Sequence, residues 1–214
     1  MTDVWSQRAD AFRESVVHRE GPDLDLVTEW AEPGEGVVAL DVATGGGHVA
    51  RRLKDAGCDV VTVDPAPGMG ATVVARAEDL PFADDSFDVV TCRIAPHHFE
   101  DVRTAVREMA RVTRDRVVVE DNVYRGEHVE EAEKLRDPTH VRCYSEGEWR
   151  AFFDEAGLDV EAVEWFARRQ DFDAWMARVE TPEDDARRVR DLLADEVVDG
   201  QLAFRSIVLK GRKR

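Results

Sequence analysis

Residues 37–49, VVALDVATGGGHV, constrain the fold more than any other stretch of the chain. Residues 37–42 form an apolar run interrupted only by Asp41, which is typical of a strand buried on both faces. Three glycines, Gly45 to Gly47, end the run, and residues 48–56 then have a helical pattern. Glycines in such a turn let backbone N–H groups approach a ligand at a helix N-terminus. The stretch predicts a strand, a turn and a helix, with either a ligand site or a plain connection at the turn.

The rest of the chain alternates strand-like and helix-like segments. Further strands are predicted over residues 59–63, 72–75, 87–93, 116–120, 158–166 and 201–209. Helices are predicted over residues 4–20, 24–31, 100–113 and 145–157, with two acidic helices in 171–199. This alternation predicts an α/β fold with an open, mostly parallel sheet and helices on both faces. Ligands of such sheets bind beyond the carboxyl ends of the strands.

Polar residues follow several of these predicted strands. Asp64 comes directly after the second strand, about 20 residues beyond Gly45, where a carboxylate can accept hydrogen bonds from ribose hydroxyls. A capping role for Asp64 before Pro65 is the alternative. Two more loops, residues 77–82 (AEDLPF) and 93–99 (RIAPHHF), follow the third and fourth predicted strands. The pattern to this point suits any cofactor that contains adenosine, nicotinamide dinucleotides included.

The motifs become specific when they are taken in order. LDVATGGGHVA, VVTVDP, AEDLPFADDSFDVVTCRIAPHHF and VREMARV together resemble the class I S-adenosylmethionine-dependent methyltransferases. The sequence is most similar to the small-molecule branch (type 11) that includes the ubiquinone and menaquinone C-methyltransferases. The resemblance covers residues 37–121 strongly and residues 135–153 more weakly. It implies a Rossmann-like sheet of seven strands whose last strand is antiparallel, and S-adenosylmethionine as the cofactor.

The resemblance also implies roles for individual residues. Gly45 and Gly47 would line the methionine portion of the cofactor, with Asp41 near its ammonium group. Asp64 would hold the ribose, and Arg93 would contact the cofactor backbone. Ala77 and Glu78 would flank the adenine. The complete predicted cofactor-binding set is Asp41, Ala43, Thr44, Gly45, Gly46, Gly47, Asp64, Pro65, Ala77, Glu78 and Arg93.

The sequence departs from the family pattern at three places. The glycines are adjacent, whereas relatives more often alternate them with other residues. Arg76 stands where relatives often carry an acidic residue for the adenine. Residues 65–76 alone separate Asp64 from Ala77. Because a parallel crossover normally takes about a dozen residues or more, we predict a shortened connection between the second and third strands and a more open adenine pocket.

Transfer of an activated methyl group depends mainly on holding the acceptor in line with it. A general base is needed only if the acceptor loses a proton. His97 and His98, in the loop after the fourth strand, are the candidates for this catalytic role, because an unperturbed histidine titrates near neutrality. The alternative is that one ring packs under the loop and the other is solvated. His18 and His128 are interpreted as surface residues, and Trp149 and Trp165 as core residues.

Residues 122–144 interrupt the strand–helix rhythm. We predict a single domain over residues 1–214 in which this segment is an inserted lid over the substrate, since long loops are often functional. Its substrate-contacting candidates are Tyr124, Arg136, His140 and Arg142. These side chains would suit an anionic or phenolic substrate. A solvated surface excursion is the alternative.

Composition limits the remaining possibilities. The net charge of −17 argues against a nucleic-acid partner, which requires a basic surface. No apolar run approaches the roughly 20 residues of a membrane span, and the predicted location is the cytoplasm. The three cysteines, Cys58, Cys92 and Cys143, are predicted to be reduced and buried, with no metal site. An acidic, lysine-poor surface could reflect adaptation to high salt, or only codon bias.

The sequence therefore predicts a methyltransferase that acts on a small molecule. One alternative is a nicotinamide-dependent oxidoreductase, but its Gly-x-Gly-x-x-Gly spacing is absent. A second alternative is a non-catalytic protein of the same fold that binds S-adenosylmethionine or serves as an interaction module. The methyl acceptor and the oligomeric state are not determined by the sequence.

Overall fold

The structure, a computed structural model, describes residues 4–214, without the side chains of residues 16 and 17. The α-helices of this part are α1 (Val4–Glu14), α2 (Val16–Arg19), α3 (Pro22–Trp30), α4 (His48–Asp55), α5 (Val102–Val112), α6 (Glu127–Arg136), α7 (Glu146–Glu155), α8 (Phe172–Met176) and α9 (Glu183–Leu192). The strands are β1 (Val38–Val42), β2 (Asp59–Asp64), β3 (Val73–Val74), β4 (Phe87–Arg93), β5 (Thr113–Asn122), β6 (Leu158–Asp171), β7 (Val197–Val198) and β8 (Gln201–Lys213).

The strands form one mixed sheet in the order β3-β2-β1-β4-β5-β8-β6, and β7 pairs with β8 beside this path. Neighbours from β3 to β5 are parallel, whereas β8 is antiparallel to both β5 and β6. The predicted mostly parallel sheet with an antiparallel last strand is confirmed. The seven predicted strands correspond to β1–β6 and β8, and β7 is a short addition. The strand order reverses between β1 and β4, which is where such sheets bind ligands.

The connection between β2 and β3 is as short as predicted. Residues 65–72 hold only one 3₁₀ turn, Pro67–Met69, and β3 itself has two residues. A crossover helix does not fit in this length. Ser6 of α1 covers part of the region, where its hydroxyl accepts a hydrogen bond from the Gly68 N–H at 2.8 Å.

Helices cover both faces of the sheet. One buried cluster joins α5 and α7 to the sheet through Met109, Trp149 and Phe153. The cluster on the other face includes Leu24 of α3 and Leu53 of α4. The start of α7 has the predicted capping box, in which the Ser145 side chain and Glu148 satisfy each other's backbone N–H groups. Both faces of the parallel strands are thus buried, as their continuous apolar sequence requires.

Several predictions at the level of single elements were wrong. The predicted helix over residues 4–20 is broken at Ser15 into α1 and α2. The segment 122–144, which lacked a clear pattern, contains α6. Strand β6 continues to Asp171 rather than ending at Phe166. Trp165 was predicted in the core, but it is 44% exposed and donates to Glu146, because it lies on the outer side of β6.

The continuation of β6 and β8 creates a third buried cluster beyond the main sheet. It contains residues from α6, α8, α9 and β8, among them Val129, Trp175, Val189 and Leu202. This cluster positions α6 and α8 beside the carboxyl ends of β4 and β5. Among the described residues, none of the helices has the length and apolar content that a membrane-spanning helix needs.

Candidate active site

A cavity of about 650 Å³, called the large cavity, lies at the carboxyl ends of β1, β2 and β4. That volume is within the usual range of about 300–1,000 Å³ for ligand pockets. It is lined by nearly the whole predicted cofactor-binding set: Asp41, Ala43, Thr44, Gly45, Gly46, Asp64, Pro65, Ala77, Glu78 and Arg93. Gly47 is not among the lining residues. It is the residue before α4, where its φ of 73° favours glycine.

Two buried carboxylates hold the glycine turn in place. The Asp41 side chain accepts hydrogen bonds from the Thr44 hydroxyl at 2.6 Å and the Thr91 hydroxyl at 2.8 Å. Burial raises the pKa of Asp41 to about 6. Asp64 accepts from the Gly45 N–H at 3.0 Å and from the Ala66 N–H at 2.9 Å. The turn after β1 is therefore fixed to the end of β2.

Gly46 is required by a close approach rather than by its backbone angles. A Cβ at this position would lie 2.6 Å from Nε2 of His48 and 2.9 Å from the carbonyl oxygen of Phe12. The His48 Nε2 and the Phe12 carbonyl oxygen are themselves 3.0 Å apart. The glycine thus lets α1 close over the turn.

Backbone strain is concentrated at the ends of β1 and β4. Ala43 has a φ of 53° and Ile94 a φ of 50°. Positive φ is unusual for a residue with a side chain and most unusual for a β-branched one. Both residues line the large cavity. Such strain often occurs at ligand-binding sites, where the surrounding structure holds it in place.

The edge of the cavity near β3 carries an ionic cluster. Arg76, the residue that departs from the family pattern, pairs with Glu78 at 3.3 Å and with Glu100 at 3.1 Å. Glu78 also accepts a hydrogen bond from the Glu100 N–H at 3.0 Å. Ala77 is buried beside this cluster. All four residues line the cavity.

Arg93 joins the sheet to the N-terminal helices. Its guanidinium group pairs with Asp23 and with Glu120, the latter at 2.7 Å, and donates to the His18 carbonyl oxygen at 2.9 Å. Burial raises the pKa of Glu120 to about 7. Arg93 therefore lines the cavity while most of its charge is already engaged by acidic side chains.

The N-terminal helices close the cavity from above. Trp5 and Phe12 of α1 line it, and the Trp5 ring meets the His98 ring edge-on at 4.7 Å. His18 was interpreted as a surface residue, and this was wrong: it lines the cavity, and burial lowers its pKa to about 3. His48 was not predicted either. The helical pattern gave no sign that α1 and α2 fold back over the strand ends. His128, by contrast, is exposed as predicted.

A second cavity of about 280 Å³ adjoins the first. The two cavities share the lining residues Trp5, Phe12, His18, Ile94 and His98. The second cavity reaches His97, Arg136 and His140 and is bounded by α6, α8 and the end of β6. We call this second space the small cavity.

Two of the predicted substrate residues lie elsewhere. Tyr124 and Arg142 line neither of the two cavities. The Tyr124 hydroxyl donates to Glu127 at 2.6 Å, and Arg142 pairs with Glu148 at 2.8 Å. Arg142 also lies over the Tyr144 ring at 5.2 Å. The Arg142–Glu148 pair thus joins the segment 122–144 to α7, and Tyr124 contacts the start of α6.

The two candidate catalytic histidines lie side by side, with ring centres 4.1 Å apart. Nδ1 of His97 is 2.5 Å from a carboxylate oxygen of buried Asp121. Nδ1 of His98 is 3.0 Å from the Thr139 carbonyl oxygen, so it carries the hydrogen. Burial lowers the pKa of both histidines to about 3 and raises the pKa of Asp121 to about 7. Both rings are accordingly neutral near pH 7.

His140 belongs to a separate buried group. Its Nε2 is 3.1 Å from Glu130, which also accepts from the Cys143 N–H at 3.2 Å. The potential metal ligands Glu130, His140 and Cys143 all lie within 4.8 Å of one another. The spacing of these residues did not predict their grouping, because α6 brings Glu130 back over the loop. Their hydrogen bonds fasten this loop to α6.

The small cavity is completed by residues that the sequence analysis missed. Arg168 and Gln170 on β6 line it, as do Trp175 of α8 and Arg178 just after it. Arg168 and Gln170 are two residues apart and so face the same side of a strand. The predicted strand ended at Phe166, whereas β6 continues to Asp171, so the prediction did not include Arg168 and Gln170.

Comparison with known proteins agrees with the geometry of the site. Residues 40–119 match the family model described as "Methyltransferase domain". The chain is 35% identical over 208 residues to the uncharacterized methyltransferase YcgJ of Bacillus subtilis, covering 86% of this chain and 82% of that protein. It is 39% identical over 94 residues to a demethylmenaquinone methyltransferase of Renibacterium salmoninarum, covering 39% of each protein.

The solved structures give the same result. The crystal structure of YcgJ superposes with a TM-score of 0.81 at 30% identity, covering 90% of this chain and 98% of that chain. The chain therefore belongs to the S-adenosylmethionine-dependent methyltransferases that its sequence motifs resemble.

Proposed function

We propose that the protein transfers the methyl group of S-adenosylmethionine to a small organic acceptor. The cofactor would occupy the large cavity and the acceptor the small one. The observation that carries this proposal is the junction of the two cavities at five shared residues, His98 among them, with the cofactor motifs lining the large cavity and His97 lining the small one. Such a junction allows a donor and an acceptor to meet without crossing solvent.

The residues of the large cavity suit this cofactor. Gly45 has a φ of 50°, and a Cβ there would meet no atom closer than 4.0 Å, so the turn leaves room for a ligand beside its backbone. Asp64 lies at the end of β2, and a carboxylate can accept from several donors at once, ribose hydroxyls included. Glu78 and Ala77 are available to the adenine. When bound, S-adenosylmethionine supplies a methyl group already activated by its sulfonium.

The protein's own task is then to position the acceptor and exclude water. Trp5 and Phe12 cover the junction, and proximity accounts for most of the expected rate. Where the acceptor must lose a proton, we propose that His97 takes it, because Asp121 at its Nδ1 orients the ring and its carboxylate form stabilises the imidazolium, against the burial that lowers the pKa of His97. Among the described residues, no carboxylate is hydrogen-bonded to His98, and its Nε2 would accept a hydrogen bond.

We also infer that residues 122–144 form a lid within a single domain. Asp137 of this segment pairs with Arg8 of α1 at 3.1 Å. This ion pair joins the segment to α1, and both line the small cavity. Pro138 and Thr139 line the large cavity, and Arg136 and His140 line the small one. One segment thus contacts both proposed ligand spaces. Reduced, buried cysteines are in keeping with a cytoplasmic location.

Calorimetry followed by turnover tests the proposed function. We expect S-adenosylhomocysteine to bind with one site per chain, NAD not to bind, and Asp64→Ala to weaken S-adenosylhomocysteine binding at least tenfold. Turnover is measured as S-adenosylhomocysteine released from S-adenosylmethionine in the presence of a panel of small acceptors. The absence of S-adenosylhomocysteine binding would refute the proposal. Binding without turnover on any acceptor would favour the non-catalytic alternative.

A further inference from the structure

The small cavity contains two guanidinium groups that form no ion pair within 4.0 Å with any acidic side chain among the described residues. They belong to Arg168 on β6 and to Arg178 after α8. We propose that the methyl acceptor is a small organic anion whose carboxylate or phosphate is bound by Arg168 and Arg178. This inference rests on the proposed function, because it assigns the small cavity to the acceptor.

Arg168 provides the main observation. Its Nε and Nη1 are buried and have no hydrogen-bond partner among the described residues. Its Nη2 makes one long contact, 3.4 Å, to the Asn122 side-chain oxygen. A buried guanidinium group without partners is costly, because the lost hydration is not replaced. A planar anion that accepts two parallel N–H bonds would replace it.

Arg178 reinforces the positive charge at the same place. Its guanidinium group donates to the Gln170 side-chain oxygen and forms no ion pair within 4.0 Å among the described residues. Burial and the charge of Arg168 lower the pKa of Arg178 from its ordinary value, so the two groups are close enough to repel each other. An anion between them would turn this repulsion into attraction.

The other charges around the small cavity are already matched. Arg8 pairs with Asp137 at 3.1 Å. Arg136 lies 3.9 Å from Glu133 and stacks on the Trp175 ring at 4.0 Å. The chain as a whole carries 46 acidic and 29 basic residues, so a shortage of acids does not explain why Arg168 and Arg178 are unpaired.

The remaining walls indicate the rest of the acceptor. Trp175 and Phe204 line the small cavity, and their rings pack at 5.7 Å. Arg168 lies over the Phe204 ring at 5.8 Å. Aromatic walls bind an apolar or aromatic body, and a volume of about 280 Å³ requires that body to be small. The class that fits is an organic acid with one anionic end and an apolar body.

Binding of simple probes to the protein saturated with S-adenosylhomocysteine tests the proposal. The probes are benzoate, phenyl phosphate and the neutral benzamide. Calorimetry measures the affinity of each probe, and thermal shift measures its effect on Tm. We expect at least one anion to bind at least about tenfold more tightly than benzamide, as charge-assisted hydrogen bonds predict. Preference for benzoate or for phenyl phosphate identifies the anionic group as a carboxylate or a phosphate.

Substitutions assign the effect to the two arginines. Arg168→Met and Arg178→Gln should each weaken anion binding about tenfold or more, with S-adenosylhomocysteine affinity unchanged. Arg169→Met is the matched control, because Arg169 is the neighbouring exposed arginine on the opposite side of β6. Without an anion, Arg168→Met should also raise Tm by roughly 2–4 °C, since it removes an unpaired buried charge.

The outcomes separate this proposal from the proposed function. If S-adenosylhomocysteine binds but neither anion does, or if benzamide binds equally well, the anionic acceptor is excluded and the methyltransferase assignment is unaffected. Anion binding that survives both substitutions, or a fall in Tm for Arg168→Met, would also overturn it. Failure of S-adenosylhomocysteine itself to bind refutes the proposed function instead.

Discussion

At the scale of single residues, the strand ends gather ionisable side chains in a space that excludes most water. Desolvation is the largest influence on the pKa of His97, His98 and Asp121, and it favours the neutral form of each. The two histidines differ in their partners, since His97 faces a carboxylate and His98 a carbonyl oxygen. That difference assigns distinct roles to adjacent residues that the sequence could not distinguish.

We predict that His97→Gln and Asp121→Asn each reduce kcat about 10²–10⁴-fold on an acceptor that must lose a proton, the range expected for loss of a general base. The affinity for S-adenosylhomocysteine should not change, because neither residue lines the large cavity. The measurement is steady-state turnover with parallel calorimetry. His128→Gln is the control, as His128 is exposed on α6. Unchanged turnover in both variants would remove His97 from the proposed mechanism.

His98 should make the fold sensitive to acid. Its pKa is about 3 in the folded protein and near the ordinary 6.5 when unfolded. Between these values the unfolded chain binds a proton that the folded chain does not, so stability falls as the pH falls below about 6.5. We predict that His98→Gln, which retains a donor for the Thr139 carbonyl, removes up to about 1.4 kcal/mol of this loss per pH unit.

The measurement for His98→Gln is the free energy of unfolding by urea at several pH values from 7 to 4.5. Asp121 is present in both proteins and has the opposite pH dependence, since its raised pKa lowers stability as the pH rises towards about 7. The charge of His98 also acts on Asp121 and Asp137, so the difference between variant and parent reports His98 together with its interaction with these two carboxyl groups. A difference that does not change with pH would show that His98 is not buried in its neutral form.

At the scale of elements, function depends on the segments that cover the sheet rather than on the sheet itself. Helix α1 is held by the Arg8–Asp137 ion pair and by Arg13, which donates to the Gly68 carbonyl oxygen at 2.6 Å. The shortened β2–β3 connection leaves the space into which α1 packs. The missing crossover helix and the presence of α1 over the site are therefore parts of one arrangement.

Trp5→Ala should test whether α1 closes the site. We expect about tenfold weaker S-adenosylhomocysteine binding. The substitution removes the apolar surface that Trp5 would offer the cofactor and the edge-on contact with His98, together worth about 1–2 kcal/mol. Calorimetry measures the change. Trp165→Ala is the matched control, since that tryptophan is exposed on β6 and lines neither cavity. Equal affinity in the two variants would mean that α1 does not cover the bound cofactor.

At the scale of the whole molecule, acidic residues outnumber basic ones and give a net charge of −17. Exposed ion pairs such as Arg187–Asp184 contribute little to stability and are weakened by salt. The general repulsion among the acidic residues is also screened by salt, and its relief favours the folded state. Salt therefore weakens the ion pairs but also relieves the repulsion. Because acidic residues are in excess, we expect the relief of repulsion to be the larger effect.

We predict that Tm rises between 0.05 M and about 2 M KCl by at least roughly 2–4 °C, the shift that about 1 kcal/mol produces in a chain of this size. Differential scanning calorimetry measures it. Sucrose at matched osmolality is the control, because it does not screen charge. A Tm that is the same at low and molar KCl would leave codon bias as the explanation of the acidic, lysine-poor composition.

The sequence alone determined the parts of this protein that depend on neighbouring residues. Residues 37–42 and 48–56 predicted a strand and a helix around a glycine turn, because periodicity and turn chemistry act over a few positions. The short spacing between Asp64 and Ala77 excluded a crossover helix. The motifs of residues 37–121 indicated the family, and of the eleven cofactor residues predicted from them all but Gly47 line the large cavity.

Tertiary structure decided what the acceptor space contains. Arg168, Trp175 and Arg178 come from β6, α8 and the turn after α8, and they meet only because β6 and β8 extend together beyond the sheet. Tyr124 and Arg142 had suitable chemistry but point into contacts with Glu127 and Glu148. Contacts between residues far apart in sequence depend on how whole elements pack. For that reason the proposed cofactor side of the site could be predicted from the sequence, whereas the proposed acceptor side required the fold.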